Sequence, residues 1–245
     1  TPLSLVAPWP ETDGPELSPG QKAFMDGRTG LFHCGDWEIS LSGAAVFATR
    51  VRIQPKLECC EAWRILEQHF AVARERGSIH DFIQSGVLKE LEVNSSSRQY
   101  GEMLHRRIDA LTTAVRVCNA DAAARAACGL IGLGPGLTPA GDDFLQGFFL
   151  FAQAFARAKT VSDECCGLLQ MQERLDTTEI SRALWRSFLS GHAAEPVKNL
   201  AEAFNSDDWK IFSRQVELIS LIGHSSGDDF LTGAWWALRQ LAGEN

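Results

Sequence analysis

The spacing of hydrophobic positions changes character near residue 58. Before this point, side chains suited to a half-buried strand alternate with small or charged ones: Phe47, Thr49, Val51 and Ile53 alternate with Ala48, Arg50 and Arg52. Glu38–Leu41 is a second short candidate strand, and turns are expected at Asp13-Gly14 and Asp26-Gly27. The pattern therefore predicts a β-rich region over residues 1–57.

From Glu61 onward the hydrophobic spacing is helical. A helix is predicted over Glu61–Arg76, ending at Gly77, with Ser78 as a possible cap of a short helix that ends at Gly86. Glu92–Ser97 is predicted to be a polar loop. The remaining predicted helices are Arg98–Val117, Asp121–Leu130, Asp142–Ala158, Ser162–Arg174, Thr178–Leu189, Glu195–Phe204, Trp209–Leu221 and Asp228–Leu241.

Two of these helices are apolar on nearly every side, which is typical of a helix surrounded by others. One carries Phe144, Leu145, Phe148, Phe149, Leu150, Phe151 and Phe155, and the other carries Phe230, Leu231, Trp235, Trp236 and Leu238. We therefore predict an α+β fold. A small β-rich N-terminal part (residues 1–57) is expected to pack on a larger α-helical bundle (residues 58–245), with these two helices at its centre.

Composition narrows the classes of function. The net charge is −8 and no block of Lys or Arg occurs, which argues against a nucleic-acid or anionic membrane surface but not against small anionic ligands. The longest apolar stretch, Phe144–Ala158, is shorter than the roughly 20 residues that span a bilayer, and no signal peptide is visible at the start. Seven cysteines without a Cys-x-x-Cys spacing predict free thiols in a reducing cytoplasm, with Cys118 and Cys128 as core residues.

One pattern occurs twice in the chain. Residues 130–147 read LIGLGPGLTPAGDDFLQG, and residues 221–233 read LIGHSSGDDFLTG. Both begin Leu-Ile-Gly and end Gly-Asp-Asp-Phe-Leu-x-Gly, and both place Thr, Ser or Pro before an apolar run, as helix starts do. The repeat predicts two similar loop-to-helix junctions, each with a pair of aspartates.

The glycine that ends each copy suggests how the junctions meet. Asp143 shares a helix face with Gly147, and Asp229 shares one with Gly233. Because a glycine within a helix costs about 1 kcal/mol relative to alanine, its repetition predicts a close approach of another backbone or a ligand. If the helices cross there, four carboxylates gather near one cleft, where a cation, a basic side chain or protonation must relieve their repulsion.

The loops before the two helices supply candidate ligand donors. Free N–H groups at a helix start attract phosphate or carboxylate, and we expect Gly134, Gly136, Thr138 and Gly141 to serve so in the first copy. In the second copy the equivalent residues are His224, Ser225, Ser226 and Gly227. Neither loop is a P-loop or a dinucleotide fingerprint, because the required Lys and glycine spacing are missing.

Each motif residue also has a purely structural interpretation. Aspartate in a first helical turn is favoured by the helix dipole, by about 0.3–1 kcal/mol, and glycines are common in turns. Thr178 opens a helix and is by default its cap, with a lesser role in ligand contact. The other histidines have no partner spacing, so structural or surface roles are expected for them: His33, His69, His80, His105 and His192.

The first motif and its surroundings resemble a known bacterial family. The similarity is to the AllH family, which includes AllH, a subunit of oxamate carbamoyltransferase in anaerobic allantoin breakdown. It is carried by residues 132–147, by the second Gly-Asp-Asp, and by residues 177–181 followed by Gly191. The resemblance implies an enzyme that works with an FdrA-like (succinyl-CoA-synthetase-like) subunit and a third subunit. The implied chemistry is carbamoyl transfer, oxamate or oxalurate with phosphate or carbamoyl phosphate.

Three hypotheses follow. In the first, the chain is a carbamoyltransferase subunit that needs no cofactor. Asp143 and Asp229 are then the catalytic residues, and the substrate is bound by the loop residues named above together with Asp142, Asp228 and Thr178. In the second, the four aspartates bind Mg²⁺ for phosphoryl transfer or hydrolysis. In the third, the chain is a non-catalytic structural or regulatory subunit.

Overall fold

The computed structural model describes seven segments of the chain: residues 22–35, 37–43, 48–56, 58–72, 77–87, 95–171 and 175–242, with side chains described throughout except at 84–87 and 95–98. They fall into two compact units that divide between Ala48 and Thr49. The first contains a small sheet and the second the helices. This is the α+β fold class that the hydrophobic pattern predicts.

The sheet consists of three short antiparallel strands in the order β1-β2-β3: β1 is Ala23–Asp26, β2 is Leu31–Cys34 and β3 is Trp37–Ser40. Phe24 pairs with His33 and Phe32 pairs with Ile39. The predicted turn at Asp26-Gly27 is confirmed, since the Asp26 carboxylate accepts hydrogen bonds from the N–H groups of Arg28 and Thr29. The candidate strand at Glu38–Leu41 corresponds to β3. The Asp13-Gly14 turn lies outside the described residues.

The strand predicted over residues 47–53 is wrong. Phe47 lies outside the described residues, and residues 48–56 form one isolated antiparallel bridge, between Arg50 and His192. Two hydrogen bonds flank this bridge, from the Val51 N–H to the Gly191 carbonyl and from the Ala193 N–H to the Thr49 carbonyl. In the described part of the chain, residues 48–56 form a β-bridge only with the short connection around His192 that joins two helices. This connection has too few residues to form a ladder of strand pairs.

Ten helices follow in the described part of the chain. They are α1 (Cys60–Val72), α2 (Ile79–Val87), α3 (Ser95–Arg116), α4 (Ala120–Cys128), α5 (Ala140–Ala152), α6 (Ala156–Gln170), α7 (Glu179–Leu189), α8 (Glu195–Asn205), α9 (Trp209–Ser220) and α10 (Ser226–Gln240). None that the structure describes is long and apolar enough to cross a bilayer.

Two predicted caps are confirmed. The Thr178 hydroxyl accepts the Ser181 N–H at the start of α7. At the start of α2, the Ser78 hydroxyl accepts the Asp81 N–H, and the Asp81 carboxylate accepts the Ser78 N–H in return. Capping therefore fixes where both helices begin.

Other helix boundaries differ from the prediction. Residues 95–97, expected in a polar loop, form the first turn of α3. The continuous helix predicted over Asp142–Ala158 is interrupted after Ala152, and α6 begins at Ala156 with Phe155 in an extended conformation. The interruption is stabilised from outside the helix, because the Ala154 carbonyl accepts a hydrogen bond from the Lys56 N–H.

Helices α5 and α10 form the centre of the helical unit, as predicted. Almost every residue of both helices is buried. The largest fully buried side chains of the described residues include Phe144, Phe148, Phe149, Phe151 and Trp235, all of them on this pair. The starts of both helices therefore have fixed positions relative to each other.

No disulfide occurs among the described residues, which include all seven cysteines. Cys59 and Cys165 are buried, and burial raises the pKa of their thiols to about 11 and about 12. The prediction that Cys118 and Cys128 are core residues is wrong, because both are exposed. Their neighbouring alanines, not the cysteines, form the buried face of α4.

Candidate functional site

The two motif helices cross at the glycines that end the repeated sequence. A Cβ atom at Gly147 would overlap the Phe230 carbonyl oxygen on α10, and a Cβ atom at Gly233 would overlap the Phe144 carbonyl oxygen on α5. The two contacts are reciprocal, each glycine admitting the backbone of the other helix. The close approach predicted from the repeat is therefore a crossing of α5 over α10.

The glycine before each aspartate pair also has a backbone neighbour. A Cβ atom at Gly141 would overlap the Leu130 carbonyl oxygen, and one at Gly227 would overlap the Ile219 carbonyl oxygen. Both glycines are buried and press the start of the helix against the end of the preceding segment. Their surroundings fit a packing role, although both were expected to contact a ligand.

The first aspartate of each motif is held by protein groups. Asp142 is fully buried, and its carboxylate accepts hydrogen bonds from the Gly132 N–H at 3.0 Å, from the Ser181 hydroxyl at 2.6 Å and from the Thr177 hydroxyl. Asp228 lies 3.3 Å from the Nε2 atom of His69 on α1. These contacts join the motif helices to α7 and α1.

The second aspartate of each motif has a different environment. The Oδ2 atoms of Asp143 and Asp229 are both buried and have no hydrogen-bond partner among the described residues. The other oxygen of Asp229, Oδ1, accepts the Ile79 N–H at the start of α2, at 2.6 Å. The repeat thus has the same division in both copies, with a first aspartate held by its neighbours and a second one that keeps an unpaired oxygen.

Burial dominates the electrostatics of the second aspartates. It raises the pKa of Asp143 to about 8 and that of Asp229 to about 7. The hydroxyls of Ser226 and Thr138 lie beside Asp143 and oppose this rise, whereas the negative charge of Asp229 adds to it. Ser226 belongs to the second junction and Asp143 to the first, so the two junctions lie together.

Hydroxyl groups connect the two junctions directly. The Thr138 and Ser226 hydroxyls are 2.7 Å apart, which joins the loop before α5 to the first residue of α10. The Ser225 side chain lies beside Asp229 and opposes the rise in its pKa. Thr178 donates a hydrogen bond to the Leu137 carbonyl and so joins α7 to the same loop.

The glycine-rich loop is built on left-handed backbone. Gly132, Gly134 and Gly136 have φ values of +75°, +115° and +99°, which L residues with side chains rarely adopt. The N–H groups of Gly134 and Gly136 meet no acceptor among the described residues, and the loop tip is exposed. His224, in the equivalent loop, is also exposed. The predicted anion-binding loop therefore keeps free donors near the surface.

Sequence reasoning missed a group of side chains on α1 and α2. His69 contacts Asp228, Glu67 accepts a hydrogen bond from the Trp235 indole N–H, and His80 stacks on Phe70 with ring centroids 4.0 Å apart. Their partners are far away in the sequence, so no local spacing identifies them. The sequence gives one hint of this group, because the polar His69 lies next to the apolar Phe70 on a predicted helix.

The four motif carboxylates do not converge on one point. Asp142 is directed to α7 and the glycine loop, and Asp228 to His69. Among the described residues, no three His, Cys, Asp or Glu side chains are grouped as a metal site requires. Two surface cavities of about 250 and 300 Å³ are not lined by the motif aspartates, although the first of them borders α5 at Phe149 and Leu150. The geometry gives the Mg²⁺ hypothesis no support.

Comparison with known proteins confirms the resemblance to the AllH family. The family model described as oxamate carbamoyltransferase subunit AllH matches residues 130–238, a range that begins at the first motif and includes the second. No solved structure matches the chain. The match therefore covers both junctions, the crossing helices and the segment that contains Thr177 and Ser181.

Proposed function

We propose that this chain is a subunit of a carbamoyltransferase complex, and that the paired junctions bind its small anionic substrates. One observation carries the proposal: the second aspartates, Asp143 and Asp229, keep unpaired buried oxygens beside the hydroxyls of Thr138, Ser225 and Ser226, next to a loop whose Gly134 and Gly136 N–H groups are free to bind. The AllH match covers these residues. The substrates proposed are oxamate or oxalurate with phosphate or carbamoyl phosphate.

An acidic motif is compatible with anions only if its charge is reduced. Burial raises the pKa of Asp143 to about 8 and that of Asp229 to about 7, so at neutral pH Asp143 is mostly protonated and Asp229 is protonated in about half of the molecules. A protonated carboxyl group donates a hydrogen bond. Together with the Gly134 and Gly136 N–H groups and the hydroxyls of Ser225 and Ser226, it makes the site a donor for phosphate and carboxylate oxygens.

The reaction also needs a proton at a defined atom. In the direction that forms carbamoyl phosphate, a phosphate oxygen attacks the terminal carbamoyl carbon of oxalurate. The bond from that carbon to the oxamate nitrogen breaks, and the departing nitrogen takes a proton. We assign this proton to Asp143, which regains one from the attacking phosphate. The reverse reaction removes the proton from the oxamate nitrogen.

The pKa of Asp143 suits this role. Proton transfer is most efficient when the pKa of the catalytic group lies near the working pH, and such a group contributes about 10²–10⁴-fold to the rate. Charge on the carbamoyl oxygen needs donors that are fixed in advance. Thr138 and Ser226, already joined to each other at 2.7 Å, are the proposed donors.

The same face also suits assembly with other subunits. Four large apolar side chains are exposed on the two loops and at the start of α7: Leu137, Ile180, Leu221 and Ile222. Clustered exposed apolar residues are typical of protein interfaces. We propose that an FdrA-like subunit, with a third carbamoyltransferase subunit in the complex, covers this face and completes the site.

The test is carbamoyl transfer by the reconstituted complex that contains Asp143→Asn. We expect a loss of at least 100-fold in kcat with assembly preserved, because Asn keeps the size of the side chain but carries no transferable proton. Asp163→Asn is the matched control, since Asp163 is an exposed aspartate paired with Lys159 on α6. Full activity of Asp143→Asn would support the non-catalytic alternative instead.

A further inference from the structure

The two motifs differ at one position within Gly-Asp-Asp-Phe-Leu-x-Gly, and this position is Gln146 in the first copy and Thr232 in the second. The Thr232 hydroxyl is fully buried and donates a hydrogen bond to the Asp228 carbonyl, at 2.6 Å. Gln146 has no such contact. Its Nε2 atom is buried and has no acceptor among the described residues.

Gln146 belongs to a small group of unsatisfied atoms. In the described part of the chain, seven buried side-chain nitrogen or oxygen atoms have no partner, and three of them are on the motif helices: Asp143 Oδ2, Gln146 Nε2 and Asp229 Oδ2. Gln146 follows Asp143 by one helical turn, so the two side chains share a face of α5. Asp229 is only 1% exposed, and its charge acts on Asp143.

An unpaired buried polar atom is costly. Each one lowers stability when nothing replaces its bond to water. Three such atoms on two crossing helices form a set that contains one amide donor and two carboxyl groups. A bound molecule that offers both an acceptor and a donor satisfies this set.

We propose that Gln146 is a substrate-binding residue that recognises a carboxamide. Its side-chain N–H groups bind the amide carbonyl oxygen of the substrate, and the amide nitrogen of the same group lies against Asp143. This inference rests on the proposed function and adds the residue that distinguishes an amide from an acid. Gln146 and Asp143 are both half-buried, so their side chains lie at the boundary between the core and the surface.

The chemistry of the set predicts its selectivity. A carboxylate or phosphate offers acceptors only. A carboxamide offers an acceptor to Gln146 and a donor to Asp143 in its ionised form, which is the form that takes the proton from the oxamate nitrogen in the reverse reaction. Oxalate has the size of oxamate but carries an oxygen where oxamate has the amide nitrogen. A site that hydrogen-bonds a particular group rejects an analogue that lacks it much more strongly than an apolar pocket does.

The test compares binding of oxamate and oxalate to the reconstituted complex by calorimetry, which does not depend on turnover. The variant is Gln146→Met, which conserves volume and removes the amide, and the matched control is Gln170→Met at the exposed end of α6. We expect Gln146→Met to weaken oxamate binding at least tenfold, to lose the preference for oxamate over oxalate, and to melt at or above the wild-type temperature.

Three outcomes overturn the proposal: unchanged oxamate binding by Gln146→Met, a wild-type complex that binds oxalate as well as oxamate, or a clear loss of thermal stability, which indicates a structural side chain. Failure of the proposed function is distinct, since it shows as a wild-type complex that binds ligand but does not transfer carbamoyl groups. Gln170→Met is expected to match the wild type in all three measurements.

Discussion

At the scale of single residues, the two aspartates of each motif have different surroundings. Asp142 and Asp228 are held by neighbouring side chains, whereas Asp143 and Asp229 each keep a buried oxygen without a partner in the described part of the chain. A structural role such as helix capping therefore explains Asp142 and Asp228 better than it explains Asp143 and Asp229. The repeated sequence predicts that all four matter, but it does not distinguish them, because the contacts that do so come from His69, Ile79 and Ser181.

The raised pKa values make stability depend on pH. An unfolded aspartate titrates near pH 3.9, whereas burial raises the pKa of the folded Asp143 to about 8, so the folded state binds more protons between these values. The free energy of unfolding must then fall as pH rises through this window. Asp143→Asn removes the part of this dependence that comes from Asp143, and its stability relative to the wild type should grow with pH, by at most about 1.4 kcal/mol per pH unit.

Urea unfolding of the full chain from pH 5 to pH 8.5 measures this difference. The variant still contains Asp229, whose pKa is raised by burial to about 7. Its free energy of unfolding therefore still falls as pH rises, but less steeply than that of the wild type. Asp163→Asn again serves as the control, because an exposed ion pair contributes less than about 1 kcal/mol. Parallel stability curves for the wild type and Asp143→Asn would show that Asp143 is ionised in the folded chain.

At the scale of helices, the crossing of α5 and α10 was predictable and the interruption after α5 was not. Two glycines at the same place in a repeated motif are a local signal, and both lie at the crossing. The interruption between Ala152 and Ala156 has no Gly or Pro to mark it. It depends on the Lys56 N–H, which pairs with the Ala154 carbonyl and comes from a distant segment. Such a contact becomes visible only once the chain is folded.

The crossing predicts a large effect of one methyl group. Gly147→Ala places a Cβ atom against the Phe230 carbonyl oxygen and 3.1 Å from the Ala234 backbone nitrogen, both of them backbone atoms that cannot rotate away. Overpacking of this kind costs about 1–3 kcal/mol. We expect a lower urea midpoint for Gly147→Ala and for Gly233→Ala, even though alanine is the better helix former.

Gly167→Ala on α6 is the matched control for this loss. Gly167 is also within a helix, but a Cβ atom there has no neighbour within 4 Å. Its replacement should be neutral or stabilising, by up to about 1 kcal/mol. Equal midpoints for Gly147→Ala and Gly167→Ala would mean that the two motif helices separate easily and that the junctions are not fixed relative to each other.

At the scale of the whole molecule, the described surface supports the proposal that the chain works as a subunit. Both junction loops reach the surface, and each exposes a large leucine: Leu137 is 69% exposed and Leu221 is 68% exposed. The pattern of hydrophobic positions predicts buried helix faces and does not predict which apolar loop residues stay exposed. The proposed partner surface therefore depends on the Thr138–Ser226 contact, which joins the two loops in the folded chain.

Assembly should depend on these two leucines. In Leu137→Asp/Leu221→Asp, a carboxylate would be buried without a partner at the proposed interface, which costs far more than it does in water. We expect at least a tenfold loss of co-purification with the other carbamoyltransferase subunits and an unchanged melting temperature of the chain alone, since both side chains are exposed in it. Met171→Asp is the control, because Met171 is 74% exposed at the end of α6 and belongs to neither loop. A double variant that assembles like the wild type, or a control that assembles as poorly, would place the interface on another face of the protein.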